Sequence, residues 1–491
     1  MSPRAPKSLR ILMIASEAYP FSKTGGLADV ATALSKALGR LGHEVTLVTP
    51  RYRGMEAGVV VDRSVVEVAA ARFDVAFGER SLGPGARVLF LDCPPLFDRA
   101  GVYNEDGTDY GDNAVRFGLL TAAAVDWQSR QPDPHHIVHA HDWQAGLATV
   151  YLRRPGDPGT IFTIHNLAYQ GVVDKAWVPL LGLSWADFTV NGFEFYDRLS
   201  FLKAGINFSQ AVTTVSPTYA EEIQRPDYGN GFDGVMRARR EALFGILNGI
   251  DTEEWDPKRD RFLPAAFDET DLSGKAAAKR ALLETYGLPA DAERLASPVV
   301  GMVSRMVDQK GLDLIAALAG ELPSMATFVV LGSGEPRYQQ MWQGLAGWRP
   351  DRVSVHVGYD ERRAHLIEAG SDIFMMPSRF EPCGLNQMYS LRYGTVPVVR
   401  AVGGLVDTVR PYNPRNGQGT GFLFSEYSPW ALRDALQAAL TLYSNNRPAW
   451  TRLQKNGMRK DFSWDRSAAE YVKVYKRVLA GRRDPPLGRG I

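Results

Sequence analysis

The first part of the chain alternates short apolar runs with stretches at helical spacing. Residues 9–15 form a continuous apolar run, which is typical of a strand buried on both faces of a parallel sheet. Glycines follow within residues 23–26, and the apolar periodicity then predicts a helix over residues 27–41. Gly42 ends this helix, and residues 44–49 predict a second strand. This order indicates a β-α-β unit with a glycine turn between its first strand and its helix.

The same alternation continues along the chain. Further strands are predicted in the first half at residues 88–92, 137–140, 160–164 and 211–215. Residues 256–298 are rich in Asp, Lys, Pro and Ala and lack strong strand signals. A second series of strands is predicted at residues 298–304, 327–332, 353–357, 372–376 and 396–400, with helices at 312–320 and 362–369. Repeated alternation of this kind predicts two doubly wound α/β domains.

The length of 491 residues exceeds what one ordinary core supports. We expect an N-terminal Rossmann-like domain over residues 1–255 and a C-terminal Rossmann-like domain over residues 256–464. Residues 465–491 should begin with a helix, at 465–479, that packs back on the N-terminal domain. The tail after residue 481 is rich in Arg, Gly and Pro, and we expect it to be disordered.

Composition narrows the class of partner and the compartment. Lys and Arg number 56 against 55 Asp and Glu, and a net charge near zero disfavours nucleic acid as the main partner. The two cysteines, Cys93 and Cys383, are typical of reduced thiols rather than of a disulfide scaffold. The basic N-terminus precedes an apolar run too short for a signal peptide, and no apolar window reaches the length of a membrane helix. We therefore expect a cytoplasmic protein.

Polar clusters follow several predicted strands, at the sheet edge where open α/β folds bind ligands. Lys23, Gly25 and Gly26 stand between the first strand and its helix. Glycines let a ligand approach the backbone, and a helix N-terminus beside a lysine favours a phosphate group. The alternative is a plain tight turn with a solvated lysine.

Histidines and an aspartate follow two other strands of the first domain. Residues 139–143 read His-Ala-His-Asp-Trp, and His165 follows the next strand. Each side chain alone is more often structural than catalytic. A metal is disfavoured at this position, because two histidines and one aspartate leave no third or fourth ligand at metal-site spacing.

The second domain carries charged residues after two of its strands. Arg305 and Lys310 follow one strand, and two cations held close together favour an anion such as a diphosphate between them. The alternative is a solvated basic loop. Glu381 precedes the turn at Cys383 and Gly384, where a carboxylate would accept hydrogen bonds from sugar hydroxyls or steady positive charge. Cys383 is interpreted as a small packing residue rather than a reactive thiol.

Five segments together resemble the bacterial glycogen synthase and plant starch synthase family. They are KTGGLADV at 23–30, HDW at 141–143, TIHNLAYQG at 163–171, LNGID at 247–251 and FEPCGL at 380–385. The resemblance covers nearly the whole chain, from residue 11 to about residue 464. It implies the GT-B fold, in which two Rossmann-like doubly wound domains face each other across a deep cleft.

The resemblance also implies an activity and a set of site residues. The implied reaction transfers glucose from ADP-glucose to the non-reducing end of an α-1,4-glucan such as glycogen, with retention of configuration, and UDP-glucose is the alternative donor. No cofactor, metal, nucleic acid or membrane is implied. The implied catalytic residues are Glu381, His165, Asp142, Arg305 and Lys310. The implied substrate contacts are Lys23, Gly25, Gly26, Glu17, Asp29, Tyr103, Asn248, Tyr359, Cys383 and Gly384.

Two positions depart from the pattern of the wider family. Retaining relatives often carry a second Glu eight positions after the first, where this chain has Tyr389. Bacterial relatives carry Thr where this chain has Asn386. Since Glu381 has no carboxylate twin in sequence, we favour same-face attack over a covalent intermediate as the route to retention. In that route the leaving phosphate takes the acceptor proton.

Three rival functions stay open on the sequence alone. A different GT-B transferase, such as a sucrose-type synthase or an enzyme with a small acceptor, would share the fold. A glucan phosphorylase is disfavoured because no clear pyridoxal-lysine context is present. A glucan-binding protein with a dead site is disfavoured because the six chemically important side chains are intact, namely Lys23, Asp142, His165, Arg305, Lys310 and Glu381.

Overall fold

The computed structural model describes residues 7–105 and 107–481, which form two compact units. Unit 1 consists of Met1–Gly249 and Trp464–Ile491, and unit 2 is Ile250–Ser463. The division falls just before Ile250, earlier than the expected boundary after residue 255. The cause is local, because Ile250 forms a β-bridge with Ser463 and donates its N–H to the Phe462 carbonyl. Residues 482–491, where we expected a disordered tail, lie outside the described residues.

Unit 1 is built from short strands and helices in alternation. Its strands are β1 Arg10–Ile14, β2 Glu44–Pro50, β3 Val59–Val68, β4 Ala71–Gly83, β5 Ala86–Asp92, β6 Asn104–Glu105, β7 Thr108–Asp109, β8 Ile137–His141, β9 Gly159–Ile164, β10 Val172–Val173, β11 Glu194–Phe195, β12 Arg198–Ser200, β13 Ala211–Thr214 and β14 Leu243–Gly245. Its helices up to residue 249 are α1 Gly26–Arg40, α2 Pro94–Phe97, α3 Asn113–Ser129, α4 Asp142–Ala145, α5 Ala148–Tyr151, α6 Trp177–Leu180, α7 Phe201–Phe208, α8 Pro217–Glu222 and α9 Asp233–Ala238.

The main sheet of unit 1, within the described part of the chain, has nine strands in the order β14-β13-β9-β8-β1-β2-β5-β4-β3. All pairs from β14 to β5 are parallel, and β4 and β3 continue the sheet antiparallel. The chain moves outward from β1 in one direction and later returns to place β8 on the other side. The switch point of the topology therefore lies between β1 and β8, which is where such sheets bind ligands.

Unit 2 repeats the pattern on a smaller sheet. Its strands are β15 Val299–Val303, β16 Thr327–Gly332, β17 Val353–Val357, β18 Ile373–Met376, β19 Val396–Arg400 and β20 Phe422–Phe424. Its helices are α10 Ser273–Thr285, α11 Ala292–Ala296, α12 Leu312–Ala317, α13 Leu322–Met325, α14 Pro336–Trp348, α15 Glu361–Gly370, α16 Asn386–Arg392, α17 Gly403–Thr408, α18 Pro429–Asn445 and α19 Arg447–Met458. The described strands run in the order β17-β16-β15-β18-β19-β20, all parallel, so the switch point lies between β15 and β18.

The last helix, α20 Trp464–Gly481, returns to unit 1. Its buried side chains recur three and four residues apart and join the core beneath α1 and the parallel strands; they include Trp464, Ala468, Tyr471, Tyr475 and Val478. Burying a large side chain of this kind stabilises the fold by roughly 1.5–3 kcal/mol. Helix α20 therefore packs firmly against the core of unit 1.

The prediction of doubly wound α/β domains is confirmed, but the pattern missed the antiparallel extension β3–β4. Strand β3 exposes most of its length, including 72% of Val59 and 46% of Val65, so it lacks the continuous apolar run of a central strand. Helix α3 was also missed.

Throughout residues 7–105 and 107–481, no helix combines the length and the apolarity needed to cross a membrane.

Candidate functional site

Glu17 lies just beyond β1, at the switch point of unit 1, and is 2% exposed. Its carboxylate accepts hydrogen bonds from the backbone N–H and the hydroxyl of Thr24, the latter at 2.7 Å, and from the Tyr103 hydroxyl. The Tyr103 oxygen is also 2.7 Å from Ser16 Oγ. Burial, followed by the charge of Glu17, holds the pKa of Tyr103 well above its usual value. Glu17 thus fixes the loop that leads into α1.

Asp142 opens α4 at the end of β8, directly across the switch point. Its φ of 55° lies in the left-handed region, which Asp tolerates better than most residues. One carboxylate oxygen accepts the backbone N–H of His165 at 2.7 Å. The pKa of Asp142 is raised to about 7, chiefly by burial. Hydrogen bonds from the backbone of His165 and Asn166 lower this pKa, and the nearby charge of Glu17 raises it. This carboxyl group therefore titrates near neutral pH.

Three histidines extend from Asp142 into the unit 1 core. His141 Nδ1 lies 3.0 Å from His165 Nε2, and the His139 and His141 rings have centroids 4.1 Å apart. The Tyr475 hydroxyl of α20 lies 3.0 Å from His139 Nδ1, while His139 Nε2 lies 2.5 Å from Thr163 Oγ1. Burial lowers the pKa of His139 and of His165 to about 3, and lowers that of His141 well below its usual value. The three rings are consequently neutral at pH 7.

The glycine turn before α1 presents an open backbone. A Cβ added to Gly25 would meet nothing within 4 Å, so packing within the described protein does not demand glycine there. Lys23 Nζ lies 2.8 Å from Asp29 Oδ1, with side-chain exposures of 36% and 22%, and 5.1 Å from the Tyr19 ring centre. The turn combines a cation, the N-terminus of a fifteen-residue helix that begins at Gly26, and room for a ligand.

In unit 2, Lys310 and Glu381 meet across the switch point between β15 and β18. Lys310 Nζ donates to Glu381 Oε2 at 2.5 Å, and the two side chains are 17% and 6% exposed. Ser378 Oγ donates to the same carboxylate oxygen at 3.0 Å. The ammonium is thus positioned at the carboxyl ends of two strands, beside the β15–α12 loop that carries Arg305.

Arg305 is exposed, and one of its guanidinium nitrogens donates to Gln309 Oε1 at 3.0 Å. Gln309 in turn accepts the Arg379 N–H on its carbonyl at 2.8 Å. This contact ties the loop after β15 to the loop after β18. We use "unit 2 cluster" for Arg305, Gln309, Lys310, Ser378 and Glu381, and "unit 1 cluster" for Glu17, Thr24, Tyr103, Asp142 and His165.

The turn after Glu381 is tightly packed. Gly384 has a φ of 71°, and a Cβ there would come within 2.4 Å of Gln387 Oε1. Gln387 Nε2 donates to the Cys383 and Gly384 carbonyls at 3.0 Å each. A Cβ on Gly404 would come within 2.2 Å of the Cys383 carbonyl oxygen. Cys383 is buried, and its carbonyl oxygen lies between the Gln387 amide and Gly404 in this turn.

Two predicted residues, Asn248 and Tyr359, belong to neither cluster, and neither does Asn386. Asn248 follows β14 and is 5% exposed, and its side-chain oxygen has no hydrogen-bond partner within the described chain. Tyr359 follows the edge strand β17 and is 74% exposed. Asn386, the position that departs from the family, donates its side-chain N–H to the Val303 carbonyl at 2.6 Å and so links α16 to the end of β15.

Sequence reasoning missed four positioning side chains: Thr24, Gln309, Ser378 and Tyr475. Thr24 lies within, and Ser378 just before, a segment that the sequence singles out. Their closeness in sequence to Glu17 and Glu381 was the signal that could have identified them. Tyr475 is separated from His139 by 336 residues and left no signal in the local pattern.

Two protein-family models match most of the chain between them. Residues 10–238 match the model for the starch synthase catalytic domain, and residues 290–458 match that for glycosyl transferases group 1. The glycogen synthase of Anaeromyxobacter dehalogenans is 50% identical over 486 residues, covering 96% of this chain and all of that protein. The glycogen synthase of Myxococcus xanthus is 47% identical, covering 96% of this chain and all of that protein.

Solved structures agree. The catalytic domain of starch synthase IV from Arabidopsis thaliana, solved with ADP and acarbose bound, superimposes with a TM-score of 0.88 at 33% identity, covering 96% of this chain and all of that one. Sucrose-phosphate synthase from Thermosynechococcus elongatus shares the fold, with a TM-score of 0.61 at 19% identity over 96% of this chain and all of that one. The two parallel-sheet units and these matches define a glucosyltransferase of the GT-B fold class. Within that class, the chain belongs to the bacterial glycogen synthase and plant starch synthase family.

Proposed function

We propose that the protein transfers glucose from ADP-glucose to the non-reducing end of an α-1,4-glucan, with retention of configuration. The observation that carries the proposal is the Lys310–Glu381 pair at the switch point of unit 2, with Arg305 on the same loop as Lys310. Adenine as the base is supported by the relative solved with ADP, and a glucan acceptor by the acarbose in the same structure. Acarbose is an analogue of an α-linked oligosaccharide.

Lys310 and Arg305 bind the diphosphate and stabilise it as it leaves. A lysine about 4 Å from a phosphate charge contributes roughly 4 kcal/mol at an effective dielectric near 20, before desolvation costs. Arg305 adds a planar group that holds two oxygens at once. Because the charge on the phosphate grows as the glycosidic bond breaks, these cations stabilise the transition state more than the ground state.

Glu381 has two roles in this proposal. It holds the Lys310 ammonium in place at 2.5 Å, and its carboxylate lies beside the glucose, where positive charge develops during transfer. Ser378 bonds the same oxygen and restricts the side chain further. Cys383 and Gly384 shape the turn that keeps Glu381 in position, while Tyr359 and Asn248 line the donor side.

Asp142 and His165 act on the sugar through neutral hydrogen-bonding groups. The rings of His141 and His165 are neutral, so one must donate to the other. Nε2 of His141 is buried without a partner among the described residues, and buried orphan donors are the rarer case. The proton of His141 is therefore on Nδ1 and donates to His165, which leaves Nδ1–H of His165 as a donor toward a sugar hydroxyl.

Retention follows from same-face attack. The bond from the anomeric carbon to the diphosphate oxygen breaks, the acceptor hydroxyl forms its bond on the same face, and its proton passes to the departing phosphate oxygen. Retaining glycosidases instead use two carboxylates about 5–5.5 Å apart. The position eight residues after Glu381 is Tyr389, whose ring stacks on Trp255 with centroids 3.9 Å apart, so that position offers no carboxylate. A glucosyl adduct trapped on Glu381 or Asp142 in a slow variant would overturn this route.

The glycine turn of unit 1 also has the chemistry of a phosphate site. Lys23, Gly25 and Gly26 bind phosphate oxygens through a cation and open backbone, and Asp29 orients Lys23. Glu17 and Tyr103 act indirectly, by holding Thr24 and hence the turn. No metal ion is needed for transfer in this proposal, because side-chain cations neutralise the leaving group.

A donor comparison tests the proposal. Purified protein is given glycogen with either ADP-glucose or UDP-glucose, and kcat/KM is measured from nucleoside diphosphate release and glucose incorporation. We expect ADP-glucose to be favoured at least tenfold. A preference for UDP-glucose would overturn the donor assignment, and hydrolysis without incorporation would overturn the assignment as a synthase.

A further inference from the structure

Three potential metal ligands that belong to neither cluster converge in unit 2. A ring nitrogen of His365 and carboxylate oxygens of Glu254 and Glu361 all lie within 4.8 Å of one another. Glu361 and His365 are four residues apart on α15, so they share one face of the helix. Glu254 comes from the segment that opens unit 2.

His365 is prepared as a ligand by its surroundings. Its side chain is 1% exposed, and its Nδ1 lies 2.7 Å from Asp260 Oδ2, which also accepts the Tyr393 hydroxyl at 2.6 Å. An ionised carboxylate only accepts hydrogen bonds, so Nδ1 carries the proton that bonds Asp260, and a metal would take the lone pair of the other nitrogen, Nε2. Nε2 is buried and has no hydrogen-bond partner within residues 7–105 and 107–481.

We propose that Glu254, Glu361 and His365 bind a divalent transition-metal ion, with Zn²⁺ as the best match. Metal-binding histidines commonly donate their other ring N–H to a carboxylate, which fixes the tautomer and the ring orientation. Asp260 occupies that place here. One imidazole and two carboxylates form a mixed nitrogen and oxygen ligand set, which suits Zn²⁺ and leaves one position for water.

The ligand set also decides against other ions. Mg²⁺ and Ca²⁺ prefer oxygen ligands, and a buried imidazole nitrogen offers them little. Zn²⁺ binds oxygen and nitrogen at about 2.0–2.2 Å, so the donor atoms must move slightly closer together than 4.8 Å. The side chains of Glu254 and Glu361 are half-buried, and rotation of these long side chains supplies the movement.

The ion would connect the segment after the unit boundary to α15. Trp255 follows Glu254 directly and stacks on the His365 ring, with centroids 3.8 Å apart and planes 11° apart. Its other neighbour in this stack is Tyr389 of α16. A bound ion therefore stabilises the segment that begins unit 2, and Trp255 reports on its presence. This role is independent of glucosyl transfer.

Zinc binding is measured on the full chain after treatment with a chelator. Calorimetric titration with ZnCl₂, in parallel with tryptophan fluorescence and thermal unfolding, should show one ion per chain and a higher unfolding midpoint. Glu254→Gln and Glu361→Gln each remove one charged ligand at nearly constant volume and should weaken Zn²⁺ binding at least tenfold. Glu253→Gln changes the exposed neighbouring carboxylate and should leave the affinity unchanged.

Each other result would overturn the proposal. Absence of saturable Zn²⁺ binding would rule out a metal site at these three residues. Binding that survives both Gln substitutions would place the ion elsewhere in the chain. Tighter binding of Mg²⁺ than of Zn²⁺ would show a site made of oxygen ligands alone. The two Gln variants carry the test rather than His365→Gln, because removing the buried ring also removes its packing.

Discussion

The two clusters occupy the same topological position in their sheets but differ in electrostatics. In the unit 1 cluster, burial drives Asp142 and His165 toward neutrality, raising the pKa of Asp142 to about 7 and lowering that of His165 to about 3. In the unit 2 cluster, Lys310 and Glu381 form an ion pair, and Arg305 is exposed nearby. One fold type thus supports neutral hydrogen bonding in one unit and fixed charge in the other.

The difference has a chemical meaning. Sugar hydroxyls are neutral and are oriented by neutral donors and acceptors, whereas a leaving diphosphate gains negative charge and needs cations. Removing charge from the unit 2 cluster should therefore damage catalysis more than removing charge from the unit 1 cluster.

Replacing Lys310 by Met should have the largest effect on catalysis. Because we propose that this cation stabilises the leaving group, its loss should lower kcat roughly 10³-fold, about 4 kcal/mol in the barrier. The variant should also be less stable, because Glu381 is 6% exposed and would lose its ion-pair partner. Steady-state kinetics and denaturant unfolding measure the two effects separately.

The double variant Lys310→Met with Glu381→Gln is the matched control. It removes the unpaired buried charge, so it should recover most of the lost stability while catalysis stays low. Recovery of turnover along with stability would show that Lys310 has only a structural role.

Asp142→Asn should raise stability in a pH-dependent way. The pKa of Asp142 is about 7 in the folded chain and near 4 in the unfolded chain. Between pH 4 and pH 7, the folded state therefore holds a proton that the unfolded state has lost. Stability of the parent chain therefore falls as pH rises from 4 to 7, by roughly 4 kcal/mol as an upper bound. Asn avoids this loss and tolerates the left-handed backbone.

The comparison is made by thermal unfolding of both chains between pH 4 and pH 8. The difference in midpoint should grow up to about pH 7 and then level off, while glucosyl transfer by the variant is reduced. A constant difference across this pH range would show that Asp142 is not desolvated in the folded chain.

Tyr475→Phe should have a smaller effect, through the histidines. Loss of the hydrogen bond to His139 should cost about 1 kcal/mol of stability and lower kcat a few-fold, because the ring that packs on His141 is less firmly held. Donor KM should stay constant, and Tyr471→Phe serves as control on the preceding turn of α20. Equal effects of the two substitutions would remove Tyr475 from this role.

Lys23→Gln should have the smallest effect on stability. The Lys23–Asp29 pair is partly exposed, and such pairs contribute about 0–1 kcal/mol. The donor KM should instead rise, and its dependence on salt should weaken, since one phosphate contact is lost. An unchanged KM with a large loss of stability would contradict the assignment of Lys23 to the donor.

Much of the fold could be predicted because parallel strands are continuous apolar runs. The strands Thr327–Gly332, Val353–Val357 and Val396–Arg400 coincide with their predicted ranges residue for residue. Strand β3 could not be predicted in the same way, because its exposed valines remove the contrast that marks a buried strand. Helix boundaries differed by a few residues, as at α12.

The candidate site was predictable in its residue types but not in its pairings. Motifs after strands pointed to Asp142, His165, Lys310 and Glu381, because carboxyl ends of parallel strands share one sheet edge. The Lys310–Glu381 bond joins residues 71 apart, and the Tyr475–His139 bond joins residues 336 apart. Such contacts depend on tertiary packing, which no local pattern encodes.

The most direct test of the account follows the fate of the anomeric carbon. Donor ADP-glucose labelled with ¹³C at C1 is incubated with glycogen, and NMR is recorded for the parent chain and for Lys310→Met. We expect the label to enter a new α-1,4 linkage with equimolar ADP release, and Lys310→Met to form the same product far more slowly. Label in a β linkage or only in free glucose, or an unchanged rate for Lys310→Met, would contradict it.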